Sequence, residues 1–402
     1  MKITNLTQYL LTTQWMDDPW WPHMLFSTAI VRVETDSDVD GLGEITQGYC
    51  CAEVVPPLVE YYKKTLVGKD PLETSRRAQD MLDESVWWAH AGAGRSVISG
   101  IEMALWDLKG KVLGVPVYQL LGGKMREKIP VYASGGPAVW PTDENLRKIA
   151  HYMKLGYRAA KLSPDFCELM PGSTTNAVSR IEWVRFPHSD SLKEMTTGFE
   201  KIRREFGGDV DLMIDGHQGV EPRPIPVTEA LEIADALAPF RIRFYEEPLA
   251  FTNLEGYQQL HELSRIPIAA GENFNGLDQF HPWIAGGALH VVQPDVGLVG
   301  GIRETERVIQ HAEAFNMTTA IHTGASMGPS FAASWHIAAA HTSVDWLERV
   351  PAARSIQDDL LIDSFEIRDG CVGLPSSPGL GVSLTPEQLE RYRFVPGAGE
   401  RT

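Results

Sequence analysis

Three short apolar segments of this chain each end at an acidic residue, and this pattern limits the possible folds more than any other. The acids are Asp215, Glu246 and Glu272, which are 31 and 26 residues apart. Each interval has about the length of a strand, a helix and two loops. Because successive parallel strands end at the same edge of a sheet, the spacing predicts that the three carboxylates lie side by side.

Three carboxylates in this arrangement indicate a magnesium site. Mg²⁺ prefers hard oxygen ligands and keeps positions open for water or substrate oxygens. Three unrelated surface acids are a weaker interpretation, since acids that end three apolar strands at regular spacing rarely arise by chance. The net charge of −17 argues against nucleic-acid binding, which needs a basic surface. It also favours a bound cation, because an acidic enzyme must neutralise an anionic substrate locally.

From about residue 126 onward, strand and helix patterns alternate through close to eight units. Polar residues follow the predicted strands on their carboxyl-terminal side, where a (β/α) barrel places its active site. They are Asp215, Glu246, Glu272, Asp295, His322 and Glu348. An open doubly wound sheet is the competing architecture, but it seldom supplies functional acids from so many consecutive strands.

The two ends of the chain have a different pattern. Residues 1–125 predict a small α+β unit, with an antiparallel pair of strands followed by helices. Residues 126–354 form the predicted barrel. Residues 355–402 return to short strands, including 379–384, and end with a helix at 386–392. We expect this tail to rejoin the N-terminal unit, so that both ends build one capping domain.

Two segments outside the regular elements are candidates for contact with a ligand. The loop at 15–23 contains Trp20 and His23, and aromatic loops with one polar group are common pocket walls. We predict that these two residues bind substrate, with a packed surface loop as the alternative. The long insertion at 163–191 is a lid, a subunit contact or a solvated loop, and no catalytic residue is assigned to it.

Cysteine usage and hydropathy indicate a cytoplasmic enzyme. The four cysteines do not have the spacing of a metal site or a redox pair, and no signal peptide pattern is present. No apolar run approaches the roughly 20 residues needed to span a bilayer, so no membrane partner is expected. The capping unit and the insertion offer surfaces for a symmetric homo-oligomer.

Over essentially its whole length, the chain resembles the enolase superfamily. The resemblance rests on Asp215, Tyr245-Glu246-Glu247-Pro248, Gly271-Glu272, Gln293-Pro294-Asp295 with Gly300-Gly301, His322, and Trp346-Leu347-Glu348. The last three pieces are similar to the mandelate racemase branch, which uses a His–Asp dyad from the seventh and sixth barrel strands. The resemblance implies a modified (β/α)8 barrel of the (β/α)7β type beneath an α+β capping domain.

The resemblance also implies a role for each strand-end residue. Members of this branch abstract the proton next to a carboxylate, and Mg²⁺ stabilises the resulting enediolate. Preorganised charge at such an oxygen is usually the largest catalytic effect. His322 would be the base and Asp295 would orient its imidazole, although Asp295 also fits a helix cap and His322 a buried core histidine. Glu348, if protonated, would donate to the enediolate.

The chain departs from its family pattern at two strands. The second strand of this branch usually ends Lys-x-Lys, but here Lys161-Leu162-Ser163 lacks the second lysine. A racemase with two bases is therefore disfavoured. The muconate-lactonising branch has a catalytic lysine on the sixth strand. Residues 295–298 contain no lysine, so that branch is also disfavoured.

Without the second lysine base, the predicted chemistry is proton abstraction from one face of the substrate only. His322 would remove the α-proton and return it to the departing β-hydroxyl, a syn elimination. His217 stands where acid-sugar dehydratases often carry a polar group, and as a second proton donor it would permit anti elimination. It fits equally a residue that only orients Asp215. Lys161 would contact the substrate carboxylate or pair with a metal ligand.

The sequence therefore predicts a Mg²⁺-dependent dehydratase of an aldonate or aldarate. It would abstract the α-proton through an enediolate and form a 2-keto-3-deoxy acid. An epimerase or racemase is the second hypothesis, and it needs a base opposite His322 that only Lys161 or His217 supplies. The third is a sugar-acid-binding protein without turnover, because fold alone does not settle function.

Overall fold

A computed structural model describes most of the chain. The described residues are 1–15, 17–18, 24–134, 142–162, 167–168, 182–183, 188–219, 224–324 and 326–397.

The N-terminal unit is a three-stranded antiparallel sheet covered by helices. Its elements are β1 (Ile3–Trp15), β2 (Met24–Thr35), β3 (Gly41–Ile45), α1 (Gly48–Cys51), α2 (Val55–Leu66), α3 (Thr74–Glu84), α4 (Gly92–Leu113) and α5 (Val117–Leu120). Helix α4 is buried along most of its length and packs against β3. A Cβ atom at Gly43 would collide with the carbonyl oxygen of Gly100, so glycine is required for this close approach.

The central part of the chain alternates between strands and helices. Its elements are β4 (Ile129–Ser134), α6 (Thr142–Lys154), β5 (Ala159–Leu162), β6 (Cys167–Glu168), β7 (Glu182–Trp183), α7 (His188–Phe206), β8 (Asp211–Asp215), α8 (Val227–Leu237), β9 (Ile242–Glu246), α9 (Leu254–Leu263), β10 (Ile268–Ala270), α10 (Leu277–Ala285), β11 (Val291–Val292), α11 (Val296–Val299), α12 (Ile302–Glu313), β12 (Thr318–Ile321), α13 (Pro329–Ala340) and β13 (Val344–Arg349).

Eight of these strands form a closed parallel barrel. Their order is β4, β5, β8, β9, β10, β11, β12 and β13, and β13 pairs with β4 to close the ring. The predicted barrel is therefore confirmed, and the open doubly wound sheet is excluded. The fifth strand is shorter than the predicted 268–272, because Gly271 has a φ of +132° that ends the extended backbone. The short β6 and β7 of the insertion pair with each other in antiparallel orientation.

The barrel interior contains an apolar layer, to which seven of the eight strands each contribute one inward-facing residue. It comprises Tyr132, Ala159, Met213, Phe244, Ala269, Val291 and Ala320. The opposite faces of the strands, such as Leu212 and Ile214, pack against the surrounding helices. This apolar layer lies directly below the carboxyl-terminal ends of the strands.

The C-terminal tail contacts both the barrel and the N-terminal unit. It contains α14 (Arg354–Leu360), β14 (Ile367–Arg368), β15 (Cys371–Val372) and α15 (Pro386–Arg391). Strand β15 pairs with β4, whereas Arg32 donates to the carbonyl of Leu384 and the N–H of Thr12 to that of Tyr392.

The predicted strand at 379–384 is wrong. This segment makes only isolated bridges, since the φ values of Gly379 (+73°) and Gly381 (+65°) interrupt an extended chain. The division of the chain at residues 125 and 354 remains a prediction. Among the described residues, no helix has both the length and the apolar character that a membrane crossing requires.

Candidate active site

The structure brings eight of the ten predicted site residues to one end of the barrel. They lie at the carboxyl-terminal ends of seven consecutive strands, in the order Lys161, Asp215 with His217, Glu246, Glu272, Asp295, His322 and Glu348. Parallel strands of a closed barrel all present this end to the same side. The other two, Trp20 and His23, lie outside the described residues, as does Ser163.

Lys161 is the electrostatic centre of this cluster. Its Nζ lies 3.0 Å from Asp215 Oδ2, 2.6 Å from Glu246 Oε1 and 3.1 Å from Glu348 Oε1, and all four side chains are buried. Burial lowers the pKa of Lys161, but the three carboxylates outweigh it and raise that pKa well above its usual value. The three contacts therefore favour the protonated form of Lys161, which pairs with two proposed metal ligands and with Glu348.

Glu246 uses both of its carboxylate oxygens. Gln293 Nε2 donates to Oε2 at 2.7 Å, opposite the ammonium of Lys161 on Oε1. Burial and then the charge of Asp215 raise the pKa of Glu246 well above its usual value. Gln293 had no predicted role, although its position two residues after the inward-facing Val291 would have placed it in the site.

His322 and Asp295 form the expected dyad. His322 Nδ1 lies 2.8 Å from Asp295 Oδ2. The other oxygen of Asp295 accepts from the N–H of Gly297 at 2.8 Å and caps α11. Asp295 thus caps a helix and hydrogen-bonds to His322, with one oxygen for each. This hydrogen bond aims Nε2 of His322 into the cluster, 3.4 Å from Glu272 Oε2.

The surrounding acids favour a charged imidazole. Burial lowers the pKa of His322, but Glu272, Glu348 and Asp295 outweigh it and raise that pKa well above its usual value. Removing negative charge from these neighbours would lower the pKa of His322 again. A cation bound beside Glu272 would therefore make His322 a free base nearer neutral pH.

Glu348 is held on both sides. The N–H of Thr323 donates to Oε2 at 2.7 Å, and Lys161 pairs with Oε1. Burial raises the pKa of Glu348, but Lys161 and His322 outweigh it and lower that pKa. Glu348 is thus ionised in this arrangement. The predicted donation of a proton to substrate would require it to take up a proton first.

His217 lies beside Asp215 at the rim. The backbone N–H of His217 donates to Asp215 Oδ1 at 3.0 Å, and the imidazole Nε2 lies 3.2 Å from Asp215 Oδ2. Burial raises the pKa of Asp215, but His217 and then Lys161 outweigh it and lower that pKa to about 2. The imidazole is 41% exposed. It therefore contacts a proposed ligand and is also open to the barrel mouth.

Glu247 is a buried acid in the site that sequence reasoning did not assign. Its Oε1 accepts from Asn273 Nδ2 at 2.8 Å, and its backbone has a φ of +38°. Burial raises its pKa to about 7. Burial and then the charge of Glu247 raise the pKa of Glu272 to about 7 as well. The adjacent acids Glu246-Glu247 were the available signal.

The donor chemistry of the cluster fits a divalent cation. In the described part of the chain, no three metal-ligating side chains are gathered at coordination spacing, and Lys161 pairs with both Asp215 and Glu246. The acids nevertheless outnumber the two cations. They are Asp215, Glu246, Glu247, Glu272, Asp295 and Glu348, against Lys161 and His322. Burial and then neighbouring acids raise the pKa values of Glu246 and Glu272, and a hard cation beside them would favour their ionised forms.

Similar proteins include sugar-acid dehydratases. A D-galactonate dehydratase from Xanthomonas euvesicatoria pv. vesicatoria (strain 85-10) is 31% identical over 405 residues, which cover 98% of this chain and 95% of the relative. A D-gluconate dehydratase from Thermoproteus tenax is 28% identical over 403 residues, with 98% and 74% covered. The structure of an enolase from Agrobacterium radiobacter, with bound Na and L-malate, has a TM-score of 0.81 at 25% identity, with 98% and 96% covered.

Two family models account for most of the chain. Residues 23–122 match the N-terminal domain of mandelate racemase / muconate lactonizing enzyme. Residues 145–388 match the model described as enolase C-terminal domain-like. The chain therefore belongs to the enolase superfamily, in the branch that contains mandelate racemase.

Proposed function

We propose that this protein is a Mg²⁺-dependent dehydratase of a sugar acid. The observation that carries the proposal is the His322–Asp295 dyad, in which Nε2 of His322 faces the carboxylate cluster, 3.4 Å from Glu272 Oε2. The relatives named as D-galactonate and D-gluconate dehydratases support elimination of water from an aldonate. The L-malate bound to a structural neighbour is a hydroxy acid of the same chemical class.

The first step is removal of the proton α to the substrate carboxylate. Asp295 accepts the Nδ1 proton of His322, so that the lone pair on Nε2 points into the site. Nε2 takes the α-proton, and the electron pair of the C–H bond moves into the carboxylate to give an enediolate. Mg²⁺ held by Asp215, Glu246 and Glu272 would supply positive charge at this carboxylate. Asp295 stabilises the imidazolium.

The second step expels the β-hydroxyl. The enediolate electrons form the new C=C bond, the β C–O bond breaks, and the oxygen leaves with a proton as water. The resulting enol ketonises to a 2-keto-3-deoxy acid. His322 would return the proton it removed in a syn elimination. His217 would supply the proton in an anti elimination.

The barrel order favours anti elimination. His217 follows the third barrel strand and His322 follows the seventh, so four steps of an eight-strand ring separate them. In a closed barrel, this separation puts the two imidazoles on opposite sides of the mouth. A substrate between them would lose its α-proton to one face and receive the leaving-group proton on the other.

The epimerase hypothesis is weaker than dehydration at this site. It requires a base opposite His322, and Lys161 is a poor base because three carboxylates hold its proton. His217 is then the one remaining candidate from the sequence analysis.

A screen of aldonic and aldaric acids with Mg²⁺ tests the proposal. We expect a 2-keto-3-deoxy product from at least one stereoisomer, with loss of product in His322→Asn and in protein treated with EDTA. His261→Asn, on the outer helix α9, is the matched control and should retain activity. If no product forms, α-proton exchange in D₂O follows. Exchange without dehydration would indicate an epimerase, and no exchange would favour a binding protein.

His217→Asn separates the two eliminations. Asparagine tolerates the positive φ of this position, +47°, better than most residues, so the backbone should be preserved. If His217 donates the proton, the variant should lose dehydration but retain exchange of the α-proton. Retention of both reactions would assign the donation to His322.

A further inference from the structure

Two buried glutamates of the N-terminal unit have no cationic partner within ion-pair distance among the described residues. Glu44 lies on β3 and Glu102 on α4, and both are about 1% exposed or less. Buried carboxylates are costly unless hydrogen bonds or opposite charges stabilise their ionised form. Both carboxylates here accept most of their hydrogen bonds from backbone N–H groups of the barrel.

Glu44 binds the loop that follows His322. Its Oε1 accepts from the N–H of Met327 at 2.8 Å and from the hydroxyl of Thr28 at 2.7 Å. Its Oε2 accepts from the N–H groups of Gly328 and Ser330 at 2.9 and 3.1 Å. These backbone donors belong to the N-terminus of α13, where a negative charge is favourable.

Glu102 binds in the same way to the start of α12, which follows Asp295 and α11 in the chain. Its Oε2 accepts from the N–H of Ile302 at 2.8 Å, and its Oε1 accepts from the N–H of Arg303 at 3.2 Å and from the indole of Trp106 at 2.6 Å. A Cβ atom at Gly301 would collide with this carboxylate. On the same helix, Arg95 Nε donates to the carbonyl of Val299 at 2.9 Å. Helix α4 thus holds both the end of α11 and the start of α12.

The two held segments are continuous along the chain with glycines that lie against the dyad. Asp295 caps α11 through Gly297, and a Cβ at Gly297 would collide with the hydroxyl of Thr46, next to β3. In the other loop, a Cβ at Gly324 would come within 2.7 Å of His322 Nε2. A small displacement of either loop would therefore move a dyad residue or its immediate surroundings.

We propose that Glu44 and Glu102 are positioning residues, through which the capping domain sets the geometry of the His322–Asp295 dyad. The inference rests on the proposed function only in taking this dyad as catalytic. Misplacement of a catalytic group by about 1 Å costs about 10²-fold in rate. The competing view is that the two glutamates only stabilise helix termini, as ordinary caps do.

The chain offers a matched control for this distinction. Asp107 is also a buried carboxylate on α4 that accepts from backbone N–H groups, those of Leu42 and Leu380, both at 2.8 Å. It also pairs with Lys111 on the same helix at 2.6 Å, and its two backbone donors belong to the capping sheet and the tail, away from both dyad loops. Asp107→Asn should therefore lose stability without disturbing the dyad.

The experiment compares Glu44→Gln, Glu102→Gln and Asp107→Asn by thermal unfolding and by kinetics below the unfolding range. In each glutamine variant, the amide NH₂ must face backbone donors that the carboxylate accepted. We expect all three variants to lose stability. Only the two glutamine variants should lose kcat, by about 10- to 100-fold, with KM little changed. Equal kcat in all three variants, or an equal loss in all three, would overturn the proposal.

A second measurement does not depend on turnover. The imidazole C–H resonances of His322 can be assigned by NMR from their absence in His322→Asn. They should shift in the Glu44 and Glu102 variants and remain unchanged in Asp107→Asn. Shifted resonances in a protein that turns over no sugar acid would refute the dehydratase and support the positioning role. Unchanged resonances in all three variants would refute the positioning role itself.

Discussion

Two adjacent layers inside the barrel differ in chemistry although both are buried. The lower layer includes Ala159, Met213, Phe244 and Ala320. Two residues further along the same strands, the upper layer presents Lys161, Asp215, Glu246 and His322. With about 3.3 Å per residue, the two layers are only about 7 Å apart. Two residues along a strand, which is one repeat of its side-chain alternation, therefore separate an apolar core layer from a charged site.

The comparison shows how the barrel divides stability from function. The lower layer stabilises the fold, because a fully buried side chain of the size of Met213 or Phe244 contributes about 1.5–3 kcal/mol. Two acids of the upper layer, Glu246 and Glu272, work against it, since burial raises their pKa. A group whose pKa is shifted in this way is less stable in its ionised form. The upper layer therefore contains two acids whose ionised forms are disfavoured, above an apolar layer that stabilises the fold.

The largest effect should come from the upper layer. His322→Asn removes the base but keeps a donor for Asp295, so kcat should fall by about 10²- to 10⁴-fold with little change in Tm. Steady-state kinetics and thermal unfolding measure the two quantities. A large loss of stability with normal kcat would contradict the assignment of function to the upper layer.

Phe244→Ala in the lower layer should have the opposite signature. It should reduce the free energy of unfolding by about 3–5 kcal/mol, because it removes a buried ring and leaves a cavity. Denaturant unfolding measures this loss, and kcat measured well below the transition should change far less than in His322→Asn. Phe244→Leu, which keeps most of the volume, is the control and should lose less stability. Equal losses in the two variants would contradict a cavity effect.

Mg²⁺ should favour the ionised forms of the upper-layer acids in a pH-dependent way. The pKa of Glu272 is about 7 in the folded chain and 4.5 when unperturbed, so only the folded chain holds this proton between these pH values. The contribution of Glu272 to stability without a cation thus falls as pH rises through this range. Mg²⁺ must displace the proton, so its stabilising effect should grow from about pH 5 to about pH 8.

At a concentration 100-fold above its Kd, the cation should add about 2.7 kcal/mol to the free energy of unfolding. The difference in Tm between samples with Mg²⁺ and with EDTA, at matched ionic strength, measures the effect. Because the two samples are compared at the same pH, the contribution that histidines remote from the site make to Tm cancels in the difference. Glu272→Gln should flatten the pH dependence. A shift in Tm that is the same at both pH values would contradict the role of Glu272 as a ligand that must lose a proton.

Local patterns were sufficient to predict the barrel and most of the candidate site. Apolar runs that end at acids place Asp215 and Glu246 at strand ends, because strand period and strand end are local properties of the chain. The same reasoning overextended the fifth strand, since the φ of +132° at Gly271 is a turn that local apolarity does not reveal. It also assigned no role to Gln293 and Glu247, although strand alternation from Val291 and the adjacent acids Glu246-Glu247 were available signals.

The sequence by itself determined the fold class, the family and the strand-end residues, because periodicity and motif depend on neighbours along the chain. Only the tertiary structure decided which side chains meet. It put Lys161 among three carboxylates, divided Asp295 between a helix cap and His322, and set Glu44 against a loop 283 residues away in the sequence. Such contacts depend on barrel closure and on the docking of the capping domain. Charge and pKa within the site follow from them, since electrostatic interactions depend on distance in space and on burial.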